Sequence, residues 1–213
     1  MKSTVTAPAY IAVEGPIGVG KTSLVKRLAA SLGYETLLED PKANPFLDDF
    51  YQSPRSMAFQ TQLYFLMQRA RQLKELSPAP KQLIADFLLD KDPLFAGITL
   101  NEPELKLYQE VYQQLHLNTP TPDLVIYLQA RPDILLERIH KRGIRCEAHI
   151  TKSYLESLNT AYSELFHYYT RAPVLIVNAA DIDWVNNQAD YEQLLKHILT
   201  TGKGRQYFNP QKI

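Results

Sequence analysis

Cysteine is almost absent from this chain of 213 residues. Cys146 is the only one, which excludes an intramolecular disulfide and a cysteine-built metal site. Excess charge of either sign is also absent. Lysine and arginine together number 23, as do aspartate and glutamate, so no global field draws the chain to nucleic acid or to an anionic membrane. No apolar run approaches the ~18 residues of a membrane span, and the first residues carry no signal-peptide pattern. These absences set the expectation of a cytoplasmic protein with neither a nucleic-acid nor a membrane partner. The five histidines (His116, His140, His149, His167 and His197) show no metal-ligand spacing. Internal repeats, low-complexity tracts and linkers are missing as well. The apolar fraction of 45% suffices for a real core, and the length fits one domain over 1–213 with loose ends at 1–8 and 203–213.

Against this background stands Gly15-Pro16-Ile17-Gly18-Val19-Gly20-Lys21-Thr22, which satisfies G-x-x-x-x-G-K-[ST] at every fixed position. Its context is the required one. Tyr10 to Glu14 reads as a short buried strand. After the motif, Leu24, Val25, Leu28 and Leu32 recur at helical spacing, and Gly33 supplies a stop. In such a turn the backbone N–H groups and the helix N-terminus form a nest for phosphates. Lys21 reaches the outer phosphates, and the Thr22 hydroxyl helps hold Mg²⁺. ATP and Mg²⁺ are therefore the expected cofactors.

Further strands are expected at Tyr34–Glu39, Gln82–Asp86, Leu124–Leu128 and Pro173–Val177. Helices are expected at Arg55–Leu76, Glu102–Leu117, from Pro132 into the basic stretch Arg138–Arg145, from Thr151 to about Tyr169, and around Tyr191, Leu194, Leu195 and Ile198. Asn44–Leu47 reads as a turn, Ser77–Pro80 and Thr119–Pro122 as breaks, and the tail from Gly202 as frayed. Strands alternating with helices predict an α/β fold of three layers, with a parallel sheet of five strands covered on both faces. Ligands bind beyond the carboxyl ends of such strands. The P-loop, Glu39 and Asp86 all fall at that edge.

Several residues there suit phosphoryl transfer. Glu39 is placed to be the base for an acceptor hydroxyl, with neighbouring Asp40 as the alternative carboxylate and a solvated acid before a turn as the alternative role. Asp86 suits Mg²⁺, directly or through water, or else caps the segment after it. Arg138 and Arg142 share a helix face. With Gly143 and Arg145 they form a hinged basic lid that closes over ATP, unless the run is a solvated surface helix. Gln62 and Arg69 stand about 10 Å apart along one helix. The Gln62 carboxamide can offer donor and acceptor to a nucleobase edge; the alternative is a pair of exposed polar residues.

Together these residues resemble the deoxynucleoside kinase family, its bacterial members in particular, from the P-loop to about residue 178. The resemblance implies transfer of the ATP γ-phosphate to the 5′-hydroxyl of a deoxyribonucleoside. It makes Glu39 the base, puts Tyr51 and Glu147 on the sugar 3′-hydroxyl and gives Gln62 the base to read. Arg69 matches the arginine that comes after that glutamine, and Arg138 and Arg142 hold phosphates. It also implies a five-stranded parallel sheet and a homodimer formed through a helix pair. Two departures stand out. The family carries acid-Arg-Ser after the third strand, whereas Asp86 is followed by Phe87 and Leu88. Lys91 is expected to supply that charge from a shifted position, against the alternative of a surface lysine paired with Asp90 or Asp92. In the lid, Ile144 stands where a second close arginine is common, with Arg145 one place on. Two rivals remain. One is a nucleoside monophosphate kinase of thymidylate kinase type, which needs cations around an acceptor phosphate and is disfavoured by Tyr51 and Glu147. The other is a nucleotide-binding regulatory protein that has lost catalysis, motivated by the missing arginine.

Overall fold

The computed structural model describes residues 7–76, 78–115 and 119–210. Strand β1 (Tyr10–Glu14) is buried along its whole length. It pairs in parallel with β3 (Leu83–Ala85) on one side and β4 (Leu124–Gln129) on the other. Strand β2 (Glu35–Leu37) lies beyond β3, and β5 (Val174–Asn178) and β6 (Arg205–Phe208) lie beyond β4, all parallel. The order is β2-β3-β1-β4-β5-β6. The chain fills one side of β1 before crossing to the other, so the crevice of the sheet opens above the carboxyl end of β1.

Alternation along the strands divides the core. Ile11 and Val13 face one way with Leu124, Ile126 and Leu128. They pack on Leu24 and Leu28 of α1 (Lys21–Leu32), Leu135 and Ile139 of α6 (Pro132–Arg142) and Leu194 and Ile198 of α8 (Gln188–Thr200). The intervening Ala12, Val125 and Tyr127 face Tyr162 and Phe166 of α7 (Lys152–Tyr168). A third cluster joins Phe50 of α2 (Leu47–Gln52), Leu66 of α3 (Pro54–Lys74), Ala96 of α4 (Lys91–Thr99) and Tyr108 of α5 (Glu102–Gln114). A reciprocal capping box between Asn101 and Glu104 starts α5.

One expectation is corrected, and two helices appear that the sequence did not announce. The sheet has six strands, not five, because the tail expected to fray returns as β6, which pairs with β5 and buries Phe208. Only one large residue of β6 is buried, so its sequence carries no strand periodicity. Helix α4 was hidden by Pro93 and Gly97. Pro93 stands in the first turn, where the missing N–H costs nothing. The turn expected at Asn44–Leu47 is present at Pro45 and Phe46, and it leads into α2, a short helix not expected from the sequence, whose one buried side chain is Phe50. Ser77, His116 and Leu117, and the expected loose residues 1–6 and 211–213, lie outside the described residues. Among the described residues no helix is long and apolar enough to cross a membrane.

Phe208→Ala should lower stability by about 3 kcal/mol in chemical denaturation. It should leave turnover of the folded fraction unchanged, because β6 lies at the sheet edge farthest from β2. An unaltered midpoint would show that the sixth strand contributes nothing.

Candidate active site

The P-loop leaves β1 at Gly15, whose φ is +145°. A Cβ there would meet the Leu128 carbonyl oxygen at 2.4 Å, so only glycine lets the chain turn this tightly against β4. Helix α1 begins at Lys21 with no side-chain cap. Its first-turn N–H groups thus face the loop, as an anion site requires. The Lys21 ammonium rests on the loop itself and donates to the carbonyls of Gly15 (2.7 Å) and Pro16 (3.2 Å). Burial, reinforced by repulsion from Lys91, lowers its pKa to about 8. This cradle, with a lysine poised at its mouth, fits a polyphosphate.

Beside it lies a buried charge network. Asp86 is 3% exposed. One of its oxygens accepts from the Thr22 hydroxyl (2.7 Å), the other from the Glu39 backbone N–H (2.8 Å). It therefore ties the P-loop to the end of β2 and caps no helix. Glu39 faces Arg69 at 2.5 Å and Lys91 at 2.5 Å. Burial alone would raise its pKa, but the attraction of Arg69 and Lys91 outweighs burial and holds it down to about 2. Asp40 is exposed, so Glu39 is the carboxylate that faces the site. Lys91 is only 3% exposed and lies 3.8 Å from Glu14 as well. The alternative of a surface lysine is thereby excluded. Asp90 pairs with Arg171 and Asp92 with Arg69.

These groups line one cavity, with Ile17, Gly18, Gly20, Lys21 and Thr22 on the phosphate side and Tyr51, Gln62, Arg142 and Glu147 around the rest. Gln62 and Arg69 are 3% and 5% exposed, so they are not solvated residues on an outer face. The Gln62 carboxamide has no hydrogen-bond partner among the described residues, and Phe50, Phe65 and Tyr154 supply aromatic walls. Arg142 pairs with Glu147 at 2.5 Å across the turn at Arg145–His149. Gly15, Pro16 and Val19 shape the loop from behind the cavity. Arg138 also stands outside it and donates to the carbonyls of Ala179 (2.8 Å) and Val19 (3.4 Å).

The sequence reading missed Glu14, Asp92, Tyr108 and Tyr162. Glu14 is fully buried and accepts from the N–H groups of Gly15 (3.1 Å) and Leu88 (2.7 Å) and from the Tyr162 hydroxyl (3.0 Å). A carboxylate at the end of an otherwise apolar strand was the available signal. Asp92 is fully buried too, and Tyr108 donates to the oxygen that meets Arg69.

The family profile described as deoxynucleoside kinase matches residues 11–201. The chain belongs to the deoxynucleoside kinase family. It is 36% identical to the deoxyguanosine kinase of Bacillus subtilis (strain 168) over 201 residues, which cover 91% of this chain and 97% of that one. It is 31% identical to the deoxyadenosine/deoxycytidine kinase of the same strain, covering 88% and 90%. Among solved structures, the deoxyadenosine kinase from M. mycoides with bound dCTP superposes with a TM-score of 0.77 at 27% identity, covering 89% of this chain and 98% of that one. As a deoxynucleoside kinase the enzyme transfers a phosphoryl group from ATP to the 5′-hydroxyl of a deoxynucleoside.

Two outcomes are expected of this site. Lys91→Met should lower kcat/KM by ~10²-fold or more, as loss of a buried charge stabiliser does, and Lys91→Arg should recover part of it. Wild-type kinetics in both variants would remove Lys91 from the reaction. The second outcome concerns pH. Glu39 stays ionised far below neutrality, so it contributes no acid limb between pH 5 and 8. Lys21 is protonated below about pH 8 and loses its charge above it. KM for ATP should therefore rise as pH increases through that value. A flat profile from pH 7 to 9.5 would contradict this assignment.

Proposed function

We propose that this enzyme phosphorylates purine deoxynucleosides in cytoplasmic nucleotide salvage, as a Mg²⁺-dependent homodimer. The observation that carries the reading is one cavity lined both by the phosphate-binding loop with Lys21 and by Glu39 with Gln62. In this scheme Glu39 accepts the proton of the 5′-hydroxyl, and Arg69 and Lys91 fix its orientation. Lys91 supplies the charge that an arginine after Asp86 provides elsewhere in the family. Tyr51 and Glu147 hold the sugar 3′-hydroxyl, and Gln62 meets the base edge. Lys21, Arg142 and Arg138 serve the donor phosphates, Arg138 by bracing Val19.

Thr22 and Asp86 would hold Mg²⁺, which supplies charge neutralisation on the transferring phosphoryl group. Among the described residues no cluster of three or more His, Cys, Asp or Glu is placed to hold a metal alone. Two adjacent oxygen donors suit a cation that takes its other ligands from phosphate and water. The purine preference draws support from relatives named deoxyguanosine and deoxyadenosine kinases. The monophosphate kinase rival needs uncommitted cations at the acceptor end, whereas Arg69 and Lys91 are each committed to a carboxylate of the buried network. A dimer accords with Met67 of α3 and Leu107 of α5, large apolar side chains left exposed. A cytoplasmic setting accords with the unpaired Cys146.

A coupled assay with ATP and Mg²⁺ over the four deoxynucleosides and their monophosphates tests the reading. Deoxyguanosine and deoxyadenosine should be the best acceptors, and monophosphates should be inert. Gln62→Ala should shift base preference by about 0.5–1.5 kcal/mol with little change in KM for ATP. Thymidine as the best acceptor, or a Gln62→Ala effect confined to ATP, would overturn it.

A further inference from the structure

Trp184 is the chain's only tryptophan, and it stands apart from the acceptor cavity, none of whose lining residues comes after Tyr162. It lies in the loop between β5 and α8, and it touches the P-loop. Gly20, at φ +104°, has no room for a side chain: a Cβ would lie 2.8 Å from Cζ2 of the indole. The outer ring of Trp184 thus presses on the N-cap residue of α1, which precedes the phosphate-binding lysine.

The loop that carries Trp184 is fastened on both sides. The Arg27 guanidinium, on α1, donates to the carbonyls of Trp184 and Val185 and to the Gln188 carboxamide, and it lies 4.1 Å over the Tyr191 ring. The Tyr191 hydroxyl returns to α1 through Ser31 (2.6 Å) and the Arg27 carbonyl (3.2 Å). Arg138 bridges the start of the same loop, at Ala179, to Val19. Trp184 itself is 3% exposed, and its Nε1 is buried without a hydrogen-bond partner among the described residues. An unsatisfied buried N–H is unfavourable. Phenylalanine would avoid that cost but would not reach Gly20, so the reach of the larger ring is what the position requires.

We propose that Trp184 is a positioning residue for the phosphate-binding loop: its indole fixes Gly20 and the first turn of α1, so that binding of the ATP phosphates depends on it and binding of the deoxynucleoside does not. Trp184 does not line the cavity that holds Glu39 and Gln62, which makes the two substrates separable in experiment. The proposal rests on the ATP phosphates occupying the P-loop.

Trp184→Phe keeps a ring near the backbone and vacates the space against Gly20. KM for ATP should rise about tenfold, equivalent to ~1.4 kcal/mol, while KM for the deoxynucleoside stays within about twofold. In the unaltered enzyme, tryptophan emission should change on titration with ATP or inorganic tripolyphosphate and stay constant with deoxynucleoside alone. The titration needs no substitution, so it decides the matter even where the variant is less stable. An unchanged KM for ATP in Trp184→Phe, an equal rise in both KM values, or emission that answers only to deoxynucleoside would overturn the proposal. Emission silent to ATP in an enzyme that still turns over ATP would leave the P-loop assignment standing and remove Trp184 from it.

Discussion

The structure depends on a set of charges that cannot be buried singly. Glu14, Glu39 and Asp92 meet Lys91 and Arg69 in one nearly dry space. An unpaired charge there would cost several kcal/mol, so each group is tolerable only with the others in place. Their backbones belong to β1, the end of β2, α3 and the start of α4. Pairing the charges therefore fixes α3 and α4 against the carboxyl edge of the sheet, more specifically than apolar packing could. The same pairing keeps Glu39 ionised and makes it a weak base. That suits phosphoryl transfer through a loose transition state, which asks for orientation and neutralised charge more than for proton affinity.

The arrangement also bears on the proposal that Lys91 stands in for the arginine absent next to Asp86. Glu14 accepts the Leu88 N–H, which turns the backbone just past Asp86. The N–H groups of Lys91 and Asp92 then reach back to the carbonyls of Leu88 (3.4 Å) and Leu89 (2.9 Å). This compact turn returns Lys91 to Glu39. A lysine brings a point charge there and not a planar fork, so the second oxygen of Glu39 is left to Arg69.

The P-loop, the strands on either side of it and the meeting of Glu39 with Asp86 were legible because they arise from local patterns: fixed glycine spacing, apolar runs and strand-end position. Residues whose signal lies in a distant partner were not legible. Asp92 reads in sequence as one acid in a charged run, and only its pairing with Arg69, 23 positions away, removes it from the surface. Glu14 looked like a strand terminus because its partners Leu88 and Tyr162 lie 74 and 148 positions on. Phe208 and its strand were hidden for the same reason, since an edge strand with one buried residue has no period of its own. Arg138 and Arg142 read as one basic face, yet Arg138 braces the P-loop from behind through Val19 and Ala179, and Arg142, at the last turn of α6, borders the cavity beside Glu147.

The central place of β1 has a consequence for how the molecule comes into being. It is the first of the described strands, yet its neighbours are β3 and β4, roughly 70 and 110 positions further on. All pairing in the sheet is parallel, so every join closes a long loop before any contact rewards it. During synthesis the phosphate-binding turn emerges well before any partner of β1, whose first pairing waits until Leu83–Ala85 have left the ribosome. Until then the apolar strand Tyr10–Val13 is an unpaired segment in search of an edge. Such high contact order makes for slow folding and long exposure to aggregation, and the phosphate-binding turn takes its shape only when strands made much later pair beside it.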